Sequence, residues 1–301
     1  MTDQDDDGAL LSRLARGGKA ALARVLARLE AAPHAAETIA LLDAAWVAPK
    51  GHVLGLTGPP GVGKSSLIDA LVRAWRGADE SVAVLAVDPS SRASRGALLG
   101  DRTRLNTDPG DDGVFVRSMA ARDRLGGLAA LSFPAMVLMR ALYDHVIMET
   151  VGVGQSETDI AGMADTVVLC VQPGSGDSLQ YMKAGIIEVP DIVVVTKADM
   201  GALATRALGD IKGALSLSLG TAEDDGWAVR ALALSTHSGA GLAALMDAVA
   251  AHWRWLCQGD RLAQRRQSQG RAWVKAEIVS EIGRRGYEKL GAALKTGTSP
   301  F

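Results

Sequence analysis

Gly58-Pro59-Pro60-Gly61-Val62-Gly63-Lys64-Ser65 sets glycines, a lysine and a hydroxyl at the spacing of a Walker A loop. The chemistry this implies is triphosphate binding. The loop follows an apolar run, His52 to Thr57, and precedes a helix-like run, Ser66 to Trp75, which is the strand–loop–helix context the motif needs. Backbone N–H groups of such a turn point inward and cradle phosphates. The helix that opens around Ser66 adds its positive N-terminal end. Lys64 can reach the β and γ phosphates as a point charge, and the Ser65 hydroxyl can ligate Mg²⁺.

Other candidate residues follow further apolar runs. Val82 to Val87 ends in Asp88, a carboxylate that can hold Mg²⁺ directly or through water. The glycine-hinged string from Ser94 to Arg104 is a candidate switch loop, in which Asp101 can supply a second metal contact. His145 to Met148 ends in Glu149-Thr150-Val151-Gly152-Val153-Gly154-Gln155. An acid at a strand end with a glycine three residues on suits a γ-phosphate sensor. Glu149 works from the metal side or holds a nucleophilic water, Gly152 N–H bonds the phosphate, and Gln155 can orient the water. Lys64, Glu149 and Gln155 are the catalytic candidates.

Ile192 to Val195 ends in Thr196-Lys197-Ala198-Asp199. A carboxylate there accepts the two donors of guanine N1 and N2, a pair adenine lacks, and the aliphatic stem of Lys197 can cover the base. Ser235-Thr236, after Ala231 to Leu234, is a candidate loop for guanine O6. The expected ligands are therefore GTP or GDP with Mg²⁺.

Positioning these groups needs a sheet. Apolar runs at 52–57, 82–87, 114–116, 145–148, 166–171, 192–196 and 231–234 alternate with helix-like segments. Continuous rather than alternating apolar character predicts strands buried on both faces of a mostly parallel sheet in a three-layer α/β P-loop fold. Ligands then gather at the carboxyl ends of the strands, where the candidates fall. Residues 1–8 are acidic and without periodicity and read as disordered, after which leucines recur at helical spacing up to Pro33 and again from Glu37 to Trp46. Residues 259–295 read as a charged helix broken at Gly283 and Gly286, with Arg261, Arg265, Arg266 and Arg271 on a solvated face. The predicted division is an N-terminal helical extension at 1–48, a P-loop GTPase domain at 49–257 and a C-terminal helical arm at 258–301.

Among 301 residues, a net charge of −2 gives no electrostatic case for nucleic acid or an acidic membrane. No apolar stretch reaches the roughly 18 residues of a membrane span. Two distant cysteines form neither a CxxC motif nor a disulfide framework, and a cytoplasmic setting is expected.

The strings GPPGVGKSSLIDAL, VAVDPSS, LLGDRTRL, RSMAARDRLGGLA, ETVGVGQSETDIAGMADT, QPGSGDSLQYMKAGIIEVPDI and TKAD together resemble the MeaB/ArgK family of GTPases over residues 10–275. The resemblance implies a GTPase domain with a C-terminal dimerisation arm, and a homodimer. It implies a chaperone that gates cofactor loading of an adenosylcobalamin-dependent acyl-CoA mutase and protects it. It also implies that residues 172–183, with Asp177 and Lys183, signal to the mutase. Thr196 stands where the family usually has asparagine, Gly96-Ala97 where Gly-Gly-Ser is common, and Asp123 where glycine is frequent. The C-terminal tail looks short, which leaves the dimer mode open.

Three other readings compete. A nickel-insertion type of metallochaperone wants a Cys/His site, and His34, His52, His145, His237 and His252 are scattered. An ATP-dependent kinase or transport-associated ATPase conflicts with Asp199. A GTP-dependent scaffold differs only in scarcely hydrolysing.

Overall fold

The computed structural model describes residues 3–89, 108, 110–121, 131–150, 159–174, 189–218, 226–290 and 299–301. Three helices open the chain: α1 (Asp3–Arg16), α2 (Gly18–Ala31) and α3 (Ala36–Val47). Helix α1 begins inside the acidic stretch expected to be disordered.

Strand β1 (His52–Thr57) leads into α4 (Lys64–Gly77), then β2 (Val82–Pro89), β3 (Val114–Ala121), α5 (Ser132–Leu142) and β4 (His145–Glu149). After a short 3-10 turn (Ile160–Gly162) come β5 (Thr166–Val171) and β6 (Ile192–Val195). A second 3-10 turn (Ala198–Met200) precedes α6 (Ala202–Ser218), β7 (Arg230–Ala233), α7 (Leu242–Leu256) and α8 (Arg261–Leu290). Each apolar run of the sequence is a strand.

The strands form one sheet in the order β3-β2-β4-β1-β5-β6-β7, every pair parallel. Side chains alternate between two buried faces. Leu54, Leu56, Val84, Ile147, Val168, Cys170 and Val194 pack with Leu67, Ile68 and Leu71 of α4 and Leu245 and Val249 of α7. Val53, Leu85, Val146, Met148 and Val167 pack with Met136 and Met139 of α5 and Leu22, Leu26 and Leu42 of the opening helices. Leu169, Val171, Val193 and Val195 meet Ala204, Ala207, Ile211 and Leu215 of α6. Coverage on both sides is why these strands read as unbroken apolar runs.

The first half of α8 is not a solvated face. Arg266 is buried and forks onto Asp165, with Nε 2.9 Å from Oδ1 and Nη2 2.7 Å from Oδ2, and Nη2 also donates to Gly51 O at 2.8 Å. Arg265 donates to both oxygens of Asp191 at 3.3 and 3.0 Å. Arg261 lies over the Trp255 ring at 4.8 Å. Of the expected basic face, Arg271 is exposed. Asp165 and Asp191 each stand just before a strand, at the amino end of the sheet, and that end is what the arginines clasp. Further along, Trp273 stacks on Phe133 with 5.4 Å between centroids, and Phe301 packs against Trp273 at 5.1 Å. The helix kinks at Gly283, whose φ is 73°. Gly286 stays within the helix, so only one of the two expected breaks forms.

Candidate nucleotide-binding site

The strand order turns at β1, which pairs with β4 on one side and β5 on the other. Crevices for ligands open at the carboxyl ends of strands beside such a reversal, and the Walker loop fills this one. Gly58 has φ 138°, and a Cβ there would stand 2.3 Å from Cys170 O, so only glycine lets the chain leave β1 against β5. Gly63, with φ 106°, is the left-handed residue before α4, and nothing stands within 4 Å of where its Cβ would be. Gly61 (φ 74°) is equally open. The loop therefore presents bare backbone ahead of the first-turn N–H groups of α4, from Lys64 to Ser66, which lack intrahelical partners.

Lys64 is buried, and its Nζ donates to Gly58 O at 2.7 Å and Pro59 O at 3.3 Å. This pulls the ammonium back over the loop. Beneath it, the Cys170 thiol is pushed up to about 12, chiefly by burial, and is an inert core group.

Ser65 and Glu149 come together although 84 residues separate them: Ser65 Oγ lies 3.4 Å from Glu149 Oε1. Glu149 closes β4 in register with Leu56, which sets it beside the loop. Adjacent oxygens around an octahedral Mg²⁺ with 2.0–2.1 Å bonds stand about 3.0 Å apart, so this pair fits one metal edge with a small adjustment. The backbone of Asp88 lies at the end of β2, opposite Ala120 of β3. Asp101, Gly152 and Gln155 lie outside the described residues.

The second half of the site surrounds Lys197 and Asp199. Lys197 adopts left-handed backbone (φ 54°, ψ 43°) and starts the 3-10 turn carrying Asp199. Asp199 is exposed, and its Oδ1 accepts the Ser235 hydroxyl at 2.5 Å. That hydrogen bond holds the carboxyl below its ordinary value, so it is ionised and acceptor-only at neutral pH. Ser235 is fixed in turn by its N–H to Ala240 O at 2.9 Å and by Ser238 N–H to its Oγ at 3.3 Å. Thr236 follows on the exposed turn.

Thr196, the departure from asparagine, has a job here. Its Oγ1 lies 2.7 Å from Val62 O and 3.2 Å from Val171 O. One hydroxyl proton serves one acceptor at a time, and the shorter distance ties the Walker loop to β6. Two features were not legible as site chemistry. Gln172 Oε1 accepts from Lys197 Nζ at 2.8 Å, and Thr150 Oγ1 meets Thr57 Oγ1 at 3.1 Å beneath the loop. Both pairs are distant in sequence and join different strand ends, so no local spacing announces them. Their common signal is position: each residue ends or follows an apolar run.

Among the described residues no group of three or more His, Cys, Asp or Glu could hold a metal ion by itself. Ser65 and Glu149 by themselves would supply two oxygens of a metal's shell.

The family model for methylmalonyl-CoA mutase-associated GTPase MeaB matches residues 22–289. A GTPase-named protein of Pyrococcus horikoshii is 38% identical, covering 92% of this chain and 87% of its own length. GTPase ArgK of Escherichia coli is 35% identical over 90% of this chain and 83% of its own. Among solved structures, one titled LAO/AO transport system kinase superposes with a TM-score of 0.71 at 28% identity, covering 94% of this chain and 86% of that one. With a seven-stranded P-loop sheet beneath a Walker loop and a family match across most of its length, the chain belongs to the MeaB family of methylmalonyl-CoA mutase-associated GTPases.

Proposed function

We propose that the protein is a Mg²⁺-dependent GTPase that acts as a homodimeric, cytoplasmic chaperone for an adenosylcobalamin-dependent acyl-CoA mutase, gating its cofactor loading. The observation that carries the nucleotide part is Asp199, ionised, held by Ser235 and set on the strand-end loop whose neighbour Thr196 is tied to the Walker loop. A carboxylate in that place accepts the N1 and N2 donors of guanine. The kinase-type reading, which wants ATP, has no use for it. The mutase part rests on family membership.

In this reading, Gly58 to Ser66 surround the phosphates. Lys64 leaves its carbonyl partners to meet the β and γ phosphates. Ser65, Asp88, Asp101 and Glu149 hold Mg²⁺, which neutralises charge developing on the phosphates. Gly152 N–H bonds the γ-phosphate, and Glu149 or Gln155 orients the attacking water. Catalysis of phosphoryl transfer is mainly positioning and electrostatics, so fixing these groups on strand ends is the protein's main contribution. Lys197 covers the base, Asp199 reads it, and Ser235 and Thr236 face guanine O6. The extensions at 1–48 and 258–301 flank the GTPase domain, and the part of α8 beyond its docked half forms the dimerisation arm. Residues 172–183 carry the signal to the mutase through Asp177 and Lys183, which lie outside the described residues.

GTPase rates with and without a purified mutase test this. Basal turnover is expected to be slow and to rise when the mutase is added. Asp177→Ala or Lys183→Ala should keep basal turnover within about threefold and lose most of the rise, since neither is assigned to the nucleotide. A wild type indifferent to every adenosylcobalamin-dependent acyl-CoA mutase tried would remove the chaperone role.

A further inference from the structure

Lys197 is held at both ends of its reach. Its backbone is fixed in the left-handed region at the start of the 3-10 turn. Its Nζ donates to two acceptors from different elements, Gly61 O of the Walker loop at 3.0 Å and Gln172 Oε1 at 2.8 Å. Gln172 is the first residue after β5. Its own position is set by the lacing of β5 to β6, where Val171 O accepts Thr196 N–H at 2.9 Å.

A lysine stem has four carbons and many rotamers, and a single acceptor leaves the ammonium free to swing about it. Two acceptors, one from each flank, confine Nζ to one place. With both ends fixed, the aliphatic stem runs along a path between Lys197 Cα and the Walker loop, and the charge of its ammonium is felt at the Asp199 carboxylate. That path is where a flat apolar surface must lie to cover a purine ring whose edge Asp199 reads.

We infer that Gln172 is a positioning residue of the guanine site: its amide oxygen holds the Lys197 stem against the base, making the start of the segment after β5 part of the nucleotide pocket. This rests on the guanine reading above and adds to it. The contact ties the residue that follows β5 to the lysine that would cover the base. The side chain acts through Lys197 and touches neither the phosphates nor the edge of the base read by Asp199. Its effect must therefore be the same for purines that differ only at that edge.

Nucleotide titrations by calorimetry on the full chain test this with GDP, IDP, which lacks the N2 amino group, and ADP. Gln172→Leu keeps the bulk and removes the acceptor, and GDP affinity is expected to fall about tenfold, the scale of one charge-assisted hydrogen bond. IDP should fall by the same factor, leaving the GDP-to-IDP ratio as in the wild type. Gln172→Glu retains an acceptor for the ammonium and should stay within about twofold of wild type. In a double-mutant cycle, Gln172→Leu should cost nothing further once Lys197→Met is present. The inference is overturned if Gln172→Leu binds GDP like the wild type, if Gln172→Glu falls as far as Gln172→Leu, if the GDP-to-IDP ratio changes, or if the two losses simply add. A wild type that binds ADP as tightly as GDP overturns the guanine reading and this role with it. A wild type that prefers GDP while Gln172→Leu matches it overturns the Gln172 role alone.

Discussion

Asp165 is held tightly at the end of the sheet away from the nucleotide site. It is fully buried and accepts from Val53 N–H at 2.9 Å as well as from the Arg266 fork. Burial by itself would raise its pKa, but the hydrogen bonds and charge of Arg266 more than offset that and hold the carboxyl below its ordinary value. Arg266→Ala strands this carboxylate in the core and is expected to destabilise the protein by about 3–5 kcal/mol. Replacing both partners, Asp165→Leu with Arg266→Met, should recover part of the loss, because a buried ion pair is worth little against apolar packing of similar volume, while Val53 N–H loses its acceptor. Urea denaturation of the single and double variants checks this, and a double variant no more stable than Arg266→Ala would refute it. In the sequence Arg266 reads as one of several basic residues on a helix, because what buries it is an aspartate 101 residues away. The strings that carry Lys64, Ser65 and Asp199 were legible because each has a fixed backbone consequence. Thr196 reads as a weakness of its string until its hydroxyl is seen to reach Val62 O.

Elements were easier to read than their termini. The inner strands were legible because both their faces are covered, and the apolar runs nearly coincide with the strands, from His52–Thr57 to the half-buried edge strand Arg230–Ala233. Helix α1 starts earlier than its apolar periodicity. In α8, Gly283 breaks the helix and Gly286 does not, a difference that backbone conformation decides and composition does not show. The kink divides the helix beyond its docked half. Next to it stands Ile282, 49% exposed, one of the large apolar side chains left in solvent among the described residues. If this part of α8 is the dimerisation arm, Ile282→Glu should turn a dimer into a monomer in light scattering at micromolar concentration and leave GDP affinity unchanged. A wild-type monomer, or a dimeric Ile282→Glu, would place the interface elsewhere.

For the whole molecule, the sheet separates two kinds of chemistry. The carboxyl ends of the strands carry loops built for an anionic ligand, and the amino ends carry a buried polar layer that clasps α8. In that layer Thr166 Oγ1 sits 2.7 Å from His52 Nε2 and 2.8 Å from His252 Nδ1, bridging two neutral imidazoles by donating to one and accepting from the other. His252 Nε2 is 3.3 Å from Asp191 Oδ1 but makes no hydrogen bond, and burial lowers His252 to about 4, so this is not an ion pair at neutral pH. Burial likewise lowers His52 to about 3. The unfolded chain takes up protons on these residues near pH 6.5 while the folded chain does not, so stability present above 6.5 is lost as pH falls toward 4. Asp165 adds to the loss only below its ordinary 3.8. Scanning calorimetry should give a Tm that declines steadily from pH 6.5 to pH 4.5, and a Tm constant over that range would contradict neutral burial of the pair. Guanine reading at the opposite end of the sheet is tested by calorimetry of GDP, ADP and XDP with the wild type and Asp199→Asn. The expected result is a wild type that prefers GDP over ADP, and a variant whose GDP affinity falls about 10- to 100-fold while its preference moves toward XDP, whose C2 oxygen suits an amide donor. Equal GDP and ADP affinities in the wild type, or a variant that binds GDP unchanged, would contradict it.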